Sequence, residues 1–219
     1  MNLIKLENIS FAYEPEGDEV FKDFSFHADR GEAIILMGGN GSGKSTLFNL
    51  LNGLIFPQKG QYYFEDVLIN REYMDNNAHS KLFHKKVGYL FQNPDVMLFN
   101  GRVYDEIAFG PRQMGLDDKE VERRTTDCLK LFGIEELAPK APYHLSAGQK
   151  KKVAFASVIS LNPEVLILDE PLAGLDAQTS QELVNFLTEL KAAGKTIIAA
   201  THNADFAAAF GDRTVLLGS

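Results

Sequence analysis

The chain has 219 residues, a length that suits one large domain or two small ones and is ample for a buried core. Its net charge of -8 leaves no basic surplus to neutralise a phosphate backbone, which excludes nucleic acid as a partner class. Hydrophobic residues make up 45% and charged residues 24%, an ordinary globular balance. A single cysteine, Cys128, rules out an internal disulfide. With no apolar run of about 18 residues, any membrane role must come through a partner.

The chain begins strand-like, not leader-like: residues 3–13 alternate, with Ile4, Leu6, Ile9 and Phe11 prominent. Residues 14–18 are a turn signal built on Pro15 and Gly17. A second strand is predicted over 20–28, with Phe24 and Phe26 on one face. Tyr13 ends the first strand. Its ring suits stacking on a base, and a strand-end tyrosine facing water fits the position equally well.

A third, apolar strand over 33–37 runs into Gly38-Gly39-Asn40-Gly41-Ser42-Gly43-Lys44-Ser45-Thr46. Residues 38–45 fit G-x-x-x-x-G-K-[ST], the phosphate-cradling loop between a strand and a helix. Glycines let backbone N–H groups turn inward around phosphate oxygens. Lys44 supplies a cation for the outer phosphates, Ser45 a hydroxyl for Mg²⁺, and Thr46 a contact to an inner phosphate. The helix that follows adds free N–H groups and a partial positive charge.

Asn52-Gly53 stops that helix, and residues 61–69 read as a hairpin with Glu65-Asp66 at its bend. Residues 70–86 are polar and carry no clear pattern. An apolar strand over 87–91 delivers Gln92. Residues 97–109 mix Met97, Leu98, Phe99, Ile107 and Phe109 with Gly101 and Arg102, which reads as local core or as a docking surface on a loop-rich segment. A helix is predicted over 116–132, with Asp117 and Glu120 at its start and Cys128 on its apolar face. Ser146 caps another helix running to about residue 160. The lysines at 150–152 read as a solvated face.

Residues 165–168 are wholly apolar, the mark of a parallel strand buried on both faces, and they end in Asp169-Glu170. Two carboxylates after a core strand are costly unless they act, one on Mg²⁺ and one beside an attacking water. Asp176 caps a helix over 177–191. A strand over 196–200 delivers His202, and a short helix over 205–210 and a strand over 213–217 close the chain. Ligands in such α/β sheets bind beyond the carboxyl ends of the strands.

In order and spacing these motifs resemble the ATP-binding cassette ATPases over essentially the whole chain. Gly38 to Thr46 matches the Walker A loop, Gln92 the Q-loop, and Leu145-Ser146-Ala147-Gly148-Gln149 the signature. Asp169-Glu170 ends Walker B, residues 173–176 match the D-loop, His202 the switch histidine, and Tyr13 the adenine-stacking aromatic. Residues 91–95, 103–111 and 173–176 look like those of energy-coupling-factor importer ATPases, a group that includes cobalt and nickel transport ATPases.

The resemblance implies one α/β cassette over 1–219: a mostly parallel core sheet, an N-terminal antiparallel β subdomain, and a helical signature subdomain over about 93–160. It implies a peripheral place on the cytoplasmic face of the membrane, an ATP-driven import role, and a head-to-tail pair with a second, identical or paralogous ATPase subunit. ATP would lie against Tyr13, Gly38, Asn40, Gly41, Ser42, Gly43, Lys44, Ser45 and Thr46, with Ser146, Gly148 and Gln149 supplied by the partner. Ser45, Gln92 and Asp169 would hold Mg²⁺; Glu170 would be the general base, with His202 and Gln92 beside the γ-phosphate. Residues 92–109 would meet the integral membrane subunits. The coiled-coil insertion of DNA-repair cassettes is lacking, and a single motif set argues against translation-associated cassettes. Two departures stand out. Ala147 replaces the first signature glycine; if that position needs a positive φ, its Cβ costs about 1–2 kcal/mol and weakens closure. Lys152 stands where an arginine is usual, losing a planar fork of donors.

Overall fold

A computed structural model describes residues 2–14 and 17–218. The turn expected over 14–18 falls partly on Pro15 and Glu16, outside the described residues. Two sheets carry the molecule. Strands β1 (Asn2–Phe11), β2 (Phe21–Asp29), β4 (Lys59–Phe64) and β5 (Val67–Leu68) form an antiparallel sheet in the order β2-β1-β4-β5. The β4–β5 turn is made by Glu65 and Asp66 at φ 49° and 61°, the paired positive values of a tight two-residue hairpin.

The second sheet is parallel: β6 (Val87–Leu90), β7 (Val165–Asp169), β8 (Thr196–Ala200), β3 (Ala33–Met37) and β9 (Arg213–Leu216), in that spatial order. Register aligns the carboxyl ends: Leu90 lies opposite Leu168, Asp169 opposite Ala200, and Ala200 opposite Leu36. The loops after β3, β6, β7 and β8 therefore open at one level.

Strand alternation sends Ile34, Leu36, Val165, Ile167 and Ile198 into a core shared with the antiparallel sheet and with α1 (Lys44–Leu51). The opposite set, Ala33, Ile35, Leu166, Leu168 and Ile197, packs on α6 (Ala147–Ile159), α7 (Ala177–Ala192) and α8 (Ala204–Phe210). A third cluster joins α4 (Val103–Gln113), α5 (Asp118–Leu131) and α6 through Val103, Ile107, Cys128, Leu129, Val153 and Ala156. Helix α6 thus belongs to two cores, with Ala154, Phe155 and Val158 on one and Val153 and Ala156 on the other. Cys128 is core, as expected, and burial pushes its thiol pKa up to about 11.

Two stretches differ from expectation. Residues 70–86 hold α2 (Arg71–Asp75) and α3 (Asn77–Lys86), capped by the side chains of Asn70 and Asn76. Phe83 alone is buried among their residues, so little apolar periodicity marks them. The loop-rich stretch over 97–109 is in large part α4, which continues through Gly110 and Pro111. Val103, Ile107, Ala108 and Pro111 are its buried face, while Phe99 is 66% exposed and Phe109 39%. That stretch divides between core and surface.

Candidate functional site at the carboxyl ends of the parallel strands

Strand β3 delivers the Gly38–Thr46 loop to the mouth of the sheet. A Cβ on Gly38 would come within 2.6 Å of the Leu217 carbonyl, and Gly43 takes φ +94° as the residue before α1. Both positions need glycine, one for close approach and one for conformation. The loop closes on Lys44, whose Nζ donates to the carbonyls of Gly38 at 2.8 Å and Gly39 at 2.9 Å.

The loops after β6, β7 and β8 complete a cleft of about 350 Å³. Its lining joins Tyr13, Asn40 to Thr46, Gln92, Asp169, Glu170 and His202, together with Val20, which sequence reasoning missed. Tyr13 stands 62% exposed, with its hydroxyl 3.1 Å from Thr46 Oγ1. Ser45 Oγ donates to Asp169 Oδ2 at 3.5 Å. Burial raises the Asp169 pKa, and the neighbouring Glu170 charge adds to it; Lys44, Ser45 and Lys151 oppose the shift.

Glu170 is conformationally unusual: φ is 47°, a left-handed value that costs a non-glycine residue on the order of 1–3 kcal/mol. Its N–H donates to Ala200 O at 3.0 Å. Its Oε1 is buried without a hydrogen bond, 3.5 Å from His202 Nε2. A carboxylate oxygen without a hydrogen bond, beside the Gly38–Thr46 loop, suits it to accept a proton from water.

The profile of the ABC transporter family matches residues 21–173. The chain belongs to that family. It is 47% identical over 217 residues to the nickel import ATP-binding protein LarO of Lactiplantibacillus plantarum, covering 99% of this chain and 89% of LarO. It is similar to cbiO1 of Clostridium perfringens, part of the ABC transporter complex cbiONQ. The TM-score is 0.85 at 37% identity, covering 99% of this chain and 84% of that one. A dimeric cassette, MJ0796 in a post-hydrolysis state with ADP and Pi, superposes at TM-score 0.87 and 28% identity, covering 98% of this chain and 94% of that one. The chain is an ABC transporter ATPase that binds and hydrolyses ATP.

The signature residues stand apart from the cleft. Ser146 caps α6, accepting from Gln149 N at 3.3 Å while Gln149 Oε1 accepts from Ser146 N at 3.0 Å. Ser146 and Ala147 are exposed; Gly148 and Gln149 are half-buried, and none of the four lines the cleft. Ala147 is the first residue of α6 and is not among the described residues with positive φ. The condition for strain is not met, so its Cβ carries no backbone penalty.

The lysine run is not one solvated face. Lys150 Nζ meets Asp95 at 2.6 Å, and Lys152 Nζ meets Glu182 of α7 at 3.0 Å. Lys151 is 2% exposed and donates to the carbonyls of Gln92 at 3.2 Å and Glu170 at 3.0 Å. Desolvation lowers its pKa, against the pull of Asp169 and Glu170. The signal was present: Lys151, Ala154, Phe155 and Val158 fall at i, i+3, i+4 and i+7, the buried stripe of α6.

Proposed function

We propose that this ATPase powers import of a small solute, a transition-metal ion such as cobalt or nickel or a vitamin, through separate membrane subunits at the cytoplasmic face. The name of LarO and the energy-coupling-factor motifs support that cargo class. The chain works as one cassette, with residues about 93–160 as its helical subdomain. Among the described residues no helix is long and apolar enough to cross a membrane.

The observation that carries the mechanism is the separation of Ser146 from the cleft that holds Lys44, Asp169, Glu170 and His202. A helix N-terminus with a capped serine is an anion receptor, and here it faces outward. Two subunits placed head to tail bring the Ser146 of each to the Lys44 loop of the other. ATP then lies between them, with its base on Tyr13 and its phosphates in the 38–46 loop.

Ser45, Asp169 and Gln92 present hard oxygen donors in one cleft and fit Mg²⁺. Among the described residues no cluster of His, Cys, Asp or Glu would hold a metal alone, so phosphates and waters would complete the shell. Mg²⁺ there supplies neutralisation of phosphate charge. Lys44 and the loop N–H groups hold the outer phosphates, and the partner's α6 terminus covers the γ-phosphate. Glu170 takes the proton as water attacks phosphorus and ADP leaves; His202 orients the water and contacts the γ-phosphate. Residues 92–109 carry the change to the membrane subunits, with Phe99 and Phe109 stacked edge to face at 4.9 Å on the surface.

The test is ATP-dependent association. The Glu170→Gln chain should dimerise with ATP in light scattering, and adding Ser146→Arg should abolish the dimer while each monomer still binds a fluorescent ATP analogue. A monomer under all conditions overturns the shared-site reading. Uptake of labelled nickel or cobalt by cells expressing the co-purifying membrane subunits tests the cargo.

A further inference from the structure

We propose that Lys151 is a positioning residue for ATP hydrolysis: its ammonium ties the backbones of Gln92 and Glu170 to the helix that carries Ser146. The inference rests on the roles proposed above for Gln92 and Glu170.

Burying an ammonium is unfavourable, and an apolar side chain would pack such a site at no electrostatic penalty. Lys151 is nevertheless 2% exposed, and its two carbonyl partners belong to two loops of the cleft, after β6 and after β7. At Glu170 the ammonium holds a strained peptide. The N–H is fixed by Ala200 O at 3.0 Å, and the carbonyl is shared by Lys151 Nζ at 3.0 Å and Ala173 N at 3.2 Å. At Gln92 it fixes the chain just after β6 ends at Leu90.

The other end of the link is Ser146. Lys151 lies five residues further along, roughly 7.5 Å up the helix axis. Helix α6 is locked into two apolar clusters, so it moves as a rigid body. A shift of Gln92 or Glu170 in a subunit's own cleft therefore reaches the Ser146 it offers to its partner. Lys150 and Lys152 meet surface carboxylates and cannot do this.

The test compares the full wild-type chain with Lys151→Met, which keeps the length and removes the donors. Lys151→Gln is shorter and reaches one carbonyl at most. Steady-state ATPase, affinity for a fluorescent ATP analogue and melting temperature are measured on each, with Glu170→Gln in parallel. Met should lower kcat about ten-fold or more with nucleotide affinity changed less than about three-fold, because small misplacements of reacting groups cost rate and not binding. Gln should fall between Met and wild type. A Met kcat within about two-fold of wild type overturns the proposal. So does a fall in kcat matched by losses of affinity and melting temperature, the pattern of a purely structural role. If Met does not fold, Gln decides: reduced kcat at unchanged affinity supports the link, and wild-type kcat refutes it. If Glu170→Gln hydrolyses at the wild-type rate, the reading of the site fails and the link with it. If Glu170→Gln is inactive while Lys151→Met is fully active, the link alone fails.

Discussion

Glu106 anchors the exposed end of the 92–109 segment, and its removal has a size that can be worked out. Its side chain is 4% exposed, and Oε2 accepts from Phe99 N at 3.0 Å and Asn100 N at 2.7 Å. Those bonds pin the loop that presents Phe99. Hydrogen bonds to a charged acceptor contribute about 1.5–3 kcal/mol each. The Glu106→Ala change deletes both, but the surroundings are only part-buried and the freed N–H groups reach water, so the expected loss is about 2–4 kcal/mol. In a domain of this size that lowers the melting temperature by about 5–12 °C. Glu106→Gln keeps one carbonyl oxygen for both donors but loses the charge and adds an amide that needs partners, so it costs about 1–2 kcal/mol. Urea and thermal unfolding of the three chains should rank alanine below glutamine below wild type, with ATP-analogue affinity unchanged. If the loop docks on the membrane subunits, co-purification with them should weaken in the same order. An alanine variant within about 0.5 kcal/mol of wild type refutes the reasoning, because the loop would then be held by something else.

Three other outcomes follow from the site and the surface. Glu170→Gln should lose about 10²–10⁴-fold in hydrolysis while still binding ATP, measured by phosphate release and analogue binding; near-wild-type turnover would remove Glu170 as the base. Ala147→Gly should leave ATPase rate within about two-fold and stability within about 0.5 kcal/mol, since no positive φ is relieved and only a helix-start propensity changes. A several-fold rise in rate would instead point to its Cβ obstructing the partner. Glu65 pairs with Lys86 and Arg30, which also meet Glu164, and hydrogen bonds from Lys86 and then Arg30 hold its carboxyl below the ordinary value. A depressed pKa in the folded state gives stability that is present above the unfolded value and lost as pH falls through the folded one. Wild type should therefore exceed Glu65→Gln by about 1 kcal/mol near neutral pH, shrinking towards zero in acid. A gap that does not change with pH would show that the carboxylate's charge contributes nothing.

The inner strands of the parallel sheet were legible because they are buried on both faces and read as near-continuous apolar runs: Ala33–Met37 and Thr196–Ala200 begin and end where composition places them. The cleft residues were legible for a related reason. Each directly follows such a run, so Gln92, Asp169, Glu170 and His202 arrive at one sheet edge whatever the helices between them do. Helices α2 and α3 were not legible, because Asn70 and Asn76 cap them but almost nothing on them is buried. Helix α4 was not legible, because the stretch that holds its first half mixes apolar residues with Gly101 and Arg102 and reads as loop-rich. Pro111 lies inside the helix with its ring buried, although its missing N–H leaves the Ile107 carbonyl without that helical bond.

Lys150, Lys151 and Lys152 show why composition misleads at a helix start. Three identical charges in a row look like one solvated surface, yet successive residues on a helix point about 100° apart and meet three environments. Here the first meets Asp95, the third meets Glu182, and the middle one faces the sheet, where its ammonium donates to the backbone carbonyls of Gln92 and Glu170. What a lysine does in such a run is set by the apolar stripe downstream of it. Lys151 is in register with Phe155 and Val158, so it is buried, and a buried ammonium must find oxygen. That requirement places a fixed cation behind two adjacent carboxylates. There it opposes, after Lys44 and Ser45, the rise in the Asp169 pKa that burial and the Glu170 charge cause.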